Sequence, residues 1–366
     1  MKTEVCSTLE VEYPIFAFSH CRDVVAAVSK AGGFGVLGVS RHSAEELRID
    51  LRWIRDQIGD KPFGVDLIFP AKTAAGETEE ESLARIPPQH REFVAELMAK
   101  FDVPAPTDSS SARLYSAHKL TSAHFVKLAA VALETDVSLL VSALGSPPPE
   151  VTAAARAKGV LLGALVGSAR HAQRQIEAGM DILIAQGNEA GGHVGSISTL
   201  TLVPQVVDVA GGRPVLAAGG IADGRQMAAA LALGAQGVWL GSVWLTTVES
   251  DLQSGLVDRL LTATSSDTVV SRSYSGKPAR LLRTQWVNAW EDESTPSPLP
   301  TPLQGLLVRD AMTSAVEHGI EPVLGTPVGQ VVGMMNRRDT CAGVIGRLVE
   351  GFIDAMGPLT ALLDVE

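Results

Sequence analysis

The sequence predicts an α/β fold: a closed (β/α)8 TIM barrel with a helical insertion after strand 3 and a smaller C-terminal α+β unit. Three observations carry that expectation. Eight short apolar runs alternate with helix-like segments between about residues 13 and 250. The runs are near-continuously apolar, as parallel strands buried on both faces should be. Glycine-rich loops follow the later runs, at the face where a parallel barrel builds its ligand site. An open doubly wound sheet is the rival arrangement, and strand count alone does not exclude it.

Taken in order, Tyr13–Phe18 reads as the first strand and Asp23–Ala31 as a helix ending at Gly32. Phe34–Leu37 is the second strand. Ser43, with Glu46 three residues on, is a capping-box start for a helix over Ala44–Ile58 that carries Leu47, Leu51 and Ile54 on one face. Pro62–Phe69 is the third strand. The alternation then stalls over about residues 71–115, where acidic, proline and serine clusters surround Phe93, Leu97, Met98 and Phe101 at helical spacing. A structureless loop of that length is uncommon, so an inserted amphipathic helix is expected there, packed on the body or acting as a lid.

A helix over 116–133 resumes the pattern, followed by strands at Val137–Ser142, Val160–Val166, Asp181–Ala185, Pro214–Ala218 and Gly237–Leu240. Helices at Pro147–Lys158, Ser168–Ala178, Leu202–Ala210 and Asp223–Leu233 separate them. The barrel is thus expected over 1–250. The remainder, 251–366, reads as a hairpin (Thr268–Tyr274 and Arg280–Val287), a proline-rich stretch and two helices, Leu303–His318 and Thr340–Met356.

Composition narrows the function class. With 46% hydrophobic residues in 366, the chain can bury a large core. A net charge of −11 and the lack of a Lys/Arg cluster argue against a nucleic-acid surface. Three widely spaced cysteines form no CxxC pair, and no histidine pair has metal-ligand spacing with carboxylates, so no metal is expected. The N-terminus has no apolar signal core and no run is long enough to span a bilayer. A cytoplasmic protein without a membrane partner, monomeric or homodimeric, is the expectation.

The most informative stretch is Ala185-Gln-Gly-Asn-Glu-Ala-Gly-Gly-His-Val-Gly195, directly after the sixth strand. Paired glycines let backbone N–H groups come close to a ligand, and an imidazole among them is a proton-transfer group. Ala217–Gly224 and Leu240-Gly-Ser242 follow the last two strands, where barrels place phosphate sites. Gly219, Gly220, Gly241 and Ser242 are therefore candidate phosphate-binding residues; tight βα turns are the alternative reading of the glycines. Gly33-Phe-Gly-Val-Leu-Gly38 matches GxGxxG but is itself the second strand with a helix before it, so it is no dinucleotide site. His193 is the candidate acid–base, against the blander reading of a structural hydrogen-bonder. His20 lies on the same expected face, and His118 and His124 flank the end of the insertion. Glu189 is read as a loop hydrogen-bonder or a solvated side chain, with a catalytic role as the alternative.

At these residues the chain resembles the nitronate monooxygenase family, FMN-dependent TIM barrels related to flavin-dependent enoyl reductases and NADH:quinone reductases. The resemblance runs over about residues 13–250. It rests on Ala26–Gly35, Pro62–Asp66, Gln186–His193, Ala217–Gly224 and Ala230–Ala235 leading to Gly241–Ser242, with a weaker echo at Gly329–Asn336. It implies that the backbone near Ala17 and Phe18 lies along a flavin, and that Asp66 and Gln186 hydrogen-bond the ring or ribityl chain. Gly191, Gly192, Gly219, Gly220, Gly241 and Ser242 would hold the FMN phosphate side. His193 matches the family's base, which takes the α-proton of a nitroalkane or contacts the nitronate.

Two departures stand out. Phe16-Ala-Phe-Ser-His20 replaces the Pro-Met-Ala type of sequence after the first strand, and Asp66 stands where many members have Asn. An ionised carboxylate only accepts hydrogen bonds, whereas an amide also donates. The implied activity is oxidation of alkyl nitronates with O2 to a carbonyl compound and nitrite. The alternative is an NAD(P)H-dependent flavin reductase of a quinone or enoyl thioester, with the insertion and its His118 and His124 shaping a larger pocket; His20, His118 and His124 are the candidate substrate residues.

Overall fold

The computed structural model describes residues 2–69, 78–105 and 121–362. Its strands in chain order are β1 (Ile15–Ser19), β2 (Phe34–Gly38), β3 (Phe63–Ile68), β4 (Leu139–Ala143), β5 (Leu161–Val166), β6 (Ile182–Gln186), β7 (Gly192–His193), β8 (Val215–Ala218), β9 (Gly237–Leu240), β10 (Thr268–Ser271) and β11 (Ala279–Leu282). All except β7, β10 and β11 form one closed parallel barrel. The last barrel strand returns to the first, with Ile15 opposite Val238, Phe16 opposite Trp239 and Ala17 opposite Leu240. The open-sheet alternative is thereby excluded.

Strand parity divides the apolar residues into two cores. Phe16, Phe34, Val36, Leu139, Val141, Ile182, Ile184, Leu216 and Trp239 fill the barrel interior. Ile15, Ala17, Leu37, Val65, Leu67, Leu183 and Val238 face the surrounding helices. Both sets are apolar because each strand is covered on both sides. Ser43 accepts from Glu46 N at 3.2 Å while the Glu46 carboxylate accepts from Ser43 N at 2.8 Å, so the expected capping box starts the helix Ala44–Ile58.

Three features differ from the sequence expectation. A five-residue helix, Glu4–Thr8, precedes the first strand, and Val5 and Leu9 plug the lower end of the barrel interior. Five residues are too few to show a period. The hairpin's second strand stops at Leu282, and Gln285–Trp290 is helical. Thr284 caps that helix by accepting from Val287 N at 3.1 Å, and the turn buries Trp286, Val287 and Trp290 on one side. The insertion holds two helices among the described residues, Glu79–Ala84 and Pro88–Lys100.

The expected docking of the insertion is also more specific than body or lid. Phe93, Val94, Leu97 and Phe101 share a core with Trp286, Trp290, Val308, Ala311 and Met312 of the C-terminal unit. An Arg309–Glu79 ion pair ties the two together. The final helix, Cys341–Ala361, behaves differently from the rest of 251–366: its Cys341, Val344, Ile345 and Leu348 belong to the core between the sheet and the helical shell. It closes the helical ring between Gly224–Ala232 and Arg22–Lys30. The hairpin and the helices between β9 and residue 340 are thus held between barrel elements on both sides in sequence.

Candidate active site

The inward parity that puts Phe16, Ile182 and Ile184 inside the barrel continues to the strand ends. There it turns Phe18, Asp66 and Gln186 into the mouth at the C-terminal face. Ala17 has the opposite parity, and its methyl group packs against the helical shell. Only its backbone is therefore on the mouth side. The Phe18 ring stacks on Trp239 at 6.2 Å and meets the His20 ring edge-on at 5.2 Å. These rings form an aromatic floor and one wall.

His193 sits opposite, and its position is fixed by the C-terminal unit. β7 pairs antiparallel with β11, His193 opposite Ala279 and Gly192 opposite Arg280, making a three-stranded sheet in the order β10-β11-β7. The His193 Nδ1–H donates to Pro278 O at 3.3 Å. That bond assigns the proton to Nδ1 and leaves Nε2 as an open acceptor. Burial, then the nearby Lys277 charge, lower the His193 pKa against the opposing pull of Pro278 O. A half-buried, neutral imidazole with a free Nε2 is the form a general base requires.

The loop under His193 is braced from three sides. Arg280, buried, donates to Asn188 O at 2.9 Å and to Thr268 Oγ1 at 3.1 Å. Glu189 accepts from Thr199 N and Oγ1, both at 2.9 Å, and so starts the helix Thr199–Val209 three residues earlier than its apolar period suggests. This confirms Glu189 as a structural hydrogen-bonder. Gln330 N donates to Glu189 O at 2.9 Å.

The glycine loops converge beside this brace. Gly219 and Gly220 have φ of 93° and 73°, a backbone that disfavours any other residue. A methyl group on Gly191 would lie 2.8 Å from the backbone of Val328. Ser242 Oγ accepts from Gly329 N at 2.8 Å, which leaves its own proton free to donate. Among the described residues, the N–H groups of Gly191, Gly219, Gly220 and Gly241 have no hydrogen-bond acceptor. Unpaired N–H groups gathered at strand ends call for an anion, and these residues fit a phosphate-bearing cofactor.

Asp66 makes the same point for the ring end. Its carboxyl is buried, has no hydrogen-bond partner among the described residues, and is pushed well above the usual carboxylate range by desolvation. It is held toward the neutral acid, which can donate as well as accept, so the Asp at this position regains the donor that an Asn would supply. Gln186 likewise presents a side-chain amide with no hydrogen-bond partner among the described residues. His20 donates from Nδ1 to Gly38 O at 2.7 Å. Its side chain is exposed at the strand end while protein atoms crowd the space around it. Desolvation and the Arg41 charge press its pKa down to about 4, so it too is neutral.

Of the expected site residues, the structure gathers Phe18, His20, Asp66, Gln186, His193 and the glycine–Ser242 group at one mouth. His124 lies against the loop after β2: its Nε2 is 3.1 Å from His42 O, and its ring packs edge-on against Phe125. His118 lies outside the described residues. Three contributors were missed by sequence reading: Lys277 and Pro278 in the hairpin turn, and Gly329 against Ser242. The Gly329–Asn336 echo was the signal for the last; the hairpin turn carried none that ties it to His193. No helix among the described residues is long and apolar enough to cross a membrane, and no cluster of metal-ligating side chains is found among them.

Comparison with known proteins agrees with this architecture. Residues 4–351 match the family model described as nitronate monooxygenase. A Mycobacterium tuberculosis protein, provisionally named monooxygenase Rv1533, is 47% identical over 99% of this chain and 100% of its own length. A Staphylococcus aureus protein provisionally named nitronate monooxygenase is 29% identical over 90% of this chain and 91% of its own. Among solved structures, nitroalkane oxidase from Streptomyces ansochromogenes superposes with a TM-score of 0.80 at 25% identity, covering 97% of this chain and 99% of that one. FabK from Thermotoga maritima does so with a TM-score of 0.76 at 28% identity, covering 99% of each.

Proposed function

The chain belongs to the nitronate monooxygenase family, and on that premise we propose that it binds FMN and oxidises small alkyl nitronates with O2, giving a carbonyl compound and nitrite. The observation that carries this reading is His193, its pKa lowered by burial, with Nδ1 tied to Pro278 O and Nε2 without a hydrogen-bond partner among the described residues. When bound, the flavin would supply electron acceptance and the reaction with O2.

The protein's part is positional and protolytic. Gly191, Gly192, Gly219, Gly220, Gly241 and Ser242 would hold the phosphate, and Asp66 and Gln186 the polar edge of the ring. The backbone at Ala17 and Phe18 would support the ring plane. For a neutral nitroalkane, His193 Nε2 takes the α-proton, and the C–H electron pair delocalises onto the nitro oxygens. A nitronate supplied as such needs no base. The apolar floor of Phe18 and Trp239 fits a short alkyl chain.

Anaerobic mixing of the flavin-loaded protein separately with nitronate, NADH and NADPH tests the reading. Bleaching of the flavin by nitronate is the expected result. Bleaching by NADH or NADPH alone would overturn it in favour of a reductase of a quinone or enoyl thioester.

A further inference from the structure

The hairpin turn between β10 and β11 places a lysine where no carboxylate meets it. Lys277 is half-buried, and its ammonium has no hydrogen bond or ion pair among the described residues. Burial alone lowers its pKa. Its neighbour Pro278 supplies the carbonyl that holds His193 Nδ1, so the cation stands one residue from the base's own anchor.

The backbone of the turn is held in place. Ser275 Oγ accepts from Lys277 N at 3.3 Å and donates to Lys277 O at 3.4 Å. Gly276 N donates to Arg272 O at 2.9 Å. A methyl group on Gly276 would collide with the backbone of Leu299–Thr301, and Thr301 Oγ1 donates to Ser275 O, so the proline-rich stretch holds the turn down. Val194 N donates to the same Pro278 O at 3.4 Å, stitching the turn to the histidine loop.

A half-buried ammonium keeps only part of its hydration, so an anion that reaches it gains a charge-assisted hydrogen bond. We propose that this anion is the substrate: Lys277 anchors a delocalised anionic oxygen pair, the nitronate group itself, beside His193. The proposal rests on the reading of the mouth as a nitronate site. It extends that reading by assigning charge selection to the hairpin turn. His193 would handle the carbon-bound proton, while Lys277 would hold the oxygens on which negative charge resides, so the anion is preferred over the neutral nitroalkane.

The test uses the flavin-loaded full chain with Lys277→Met and Lys277→Arg, at constant ionic strength. Nitrate serves as a redox-inert planar oxyanion, and its binding is read by perturbation of the flavin absorbance. Nitronate oxidation is measured alongside. Loss of one charge-assisted hydrogen bond predicts a Kd for nitrate weaker by about tenfold or more in Lys277→Met, with most affinity restored in Lys277→Arg. The KM for nitronate should rise by a similar factor with kcat little changed. Unchanged nitrate affinity in Lys277→Met, or no saturable nitrate binding in the unmodified protein, overturns the proposal. Lysine-dependent nitrate binding without any nitronate oxidation would instead retain the anion subsite and overturn the nitronate reading.

Discussion

Replacing His193 by Asn separates proton abstraction from every other task at the mouth. The amide nitrogen of Asn can occupy the place of Nδ1 and keep the donor to Pro278 O, so the pairing of β7 with β11 survives. What disappears is Nε2, the group with no partner among the described residues. A positioned general base contributes roughly 10²–10⁴-fold, or about 3–5 kcal/mol of barrier. The expected result is a fall of that size in kcat/KM for neutral nitroalkane, with less than about a tenfold change for preformed nitronate. Stopped-flow reduction of the flavin under anaerobic conditions measures both without interference from O2. The pH profile gives an independent check. Burial, the largest cause, lowers the folded His193 pKa from the ordinary imidazole value. Its basic form is therefore favoured at neutral pH, and activity on the neutral substrate should fall only as pH drops below the ordinary imidazole range. The nitronate rate should lack that limb. Equal losses on both substrates in His193→Asn, or the same acid limb on both, would refute the base assignment.

Other substitutions test the surrounding frame. Asp66→Asn should stabilise the protein without flavin above the ordinary carboxylate range: a buried acid with a raised folded pKa loses native stability as pH rises from its unfolded value toward its folded one, and an amide does not. Thermal unfolding of wild type and variant at a series of pH values checks this, and a variant without a widening advantage would contradict the orphaned carboxyl. Gly191→Ala drives a methyl group to 2.8 Å from the Val328 backbone, so unfolding free energy should fall by about 1–3 kcal/mol and flavin should be retained less well on gel filtration. Trp286→Ala removes a fully buried ring from the core shared by the insertion and the C-terminal unit. A loss of about 3–5 kcal/mol in denaturant unfolding is expected, and proteolysis should then open residues near the insertion first.

How far the site was legible in the sequence follows from which interactions are local. The barrel strands were readable because burial on both faces makes each a short apolar run, and Ser43 with Glu46 marked a helix start within four residues. The glycine loops and His193 were readable because a histidine embedded among glycines at a strand end is unusual locally. Pairing of β7 with β11 left no such mark. It joins Gly192 to Arg280 and His193 to Ala279 across more than 80 residues, and a two-residue strand has no period to detect. The same distance hides the partner of Ser242, whose hydroxyl reads as a phosphate donor in sequence and proves also to accept from Gly329 N. Glu189 shows the converse case: its backbone neighbours invited a role in the loop, while its carboxylate is committed to the start of the helix at Thr199. Residues at the ends of the barrel strands thus form the proposed cradle, and residues between β9 and the closing helix set the orientation of the proposed base. A histidine's tautomer here is chosen by a carbonyl in a hairpin that sequence reading treated as an appendage. Divergence in that hairpin can therefore alter the proton and charge chemistry of the mouth without touching a single barrel strand.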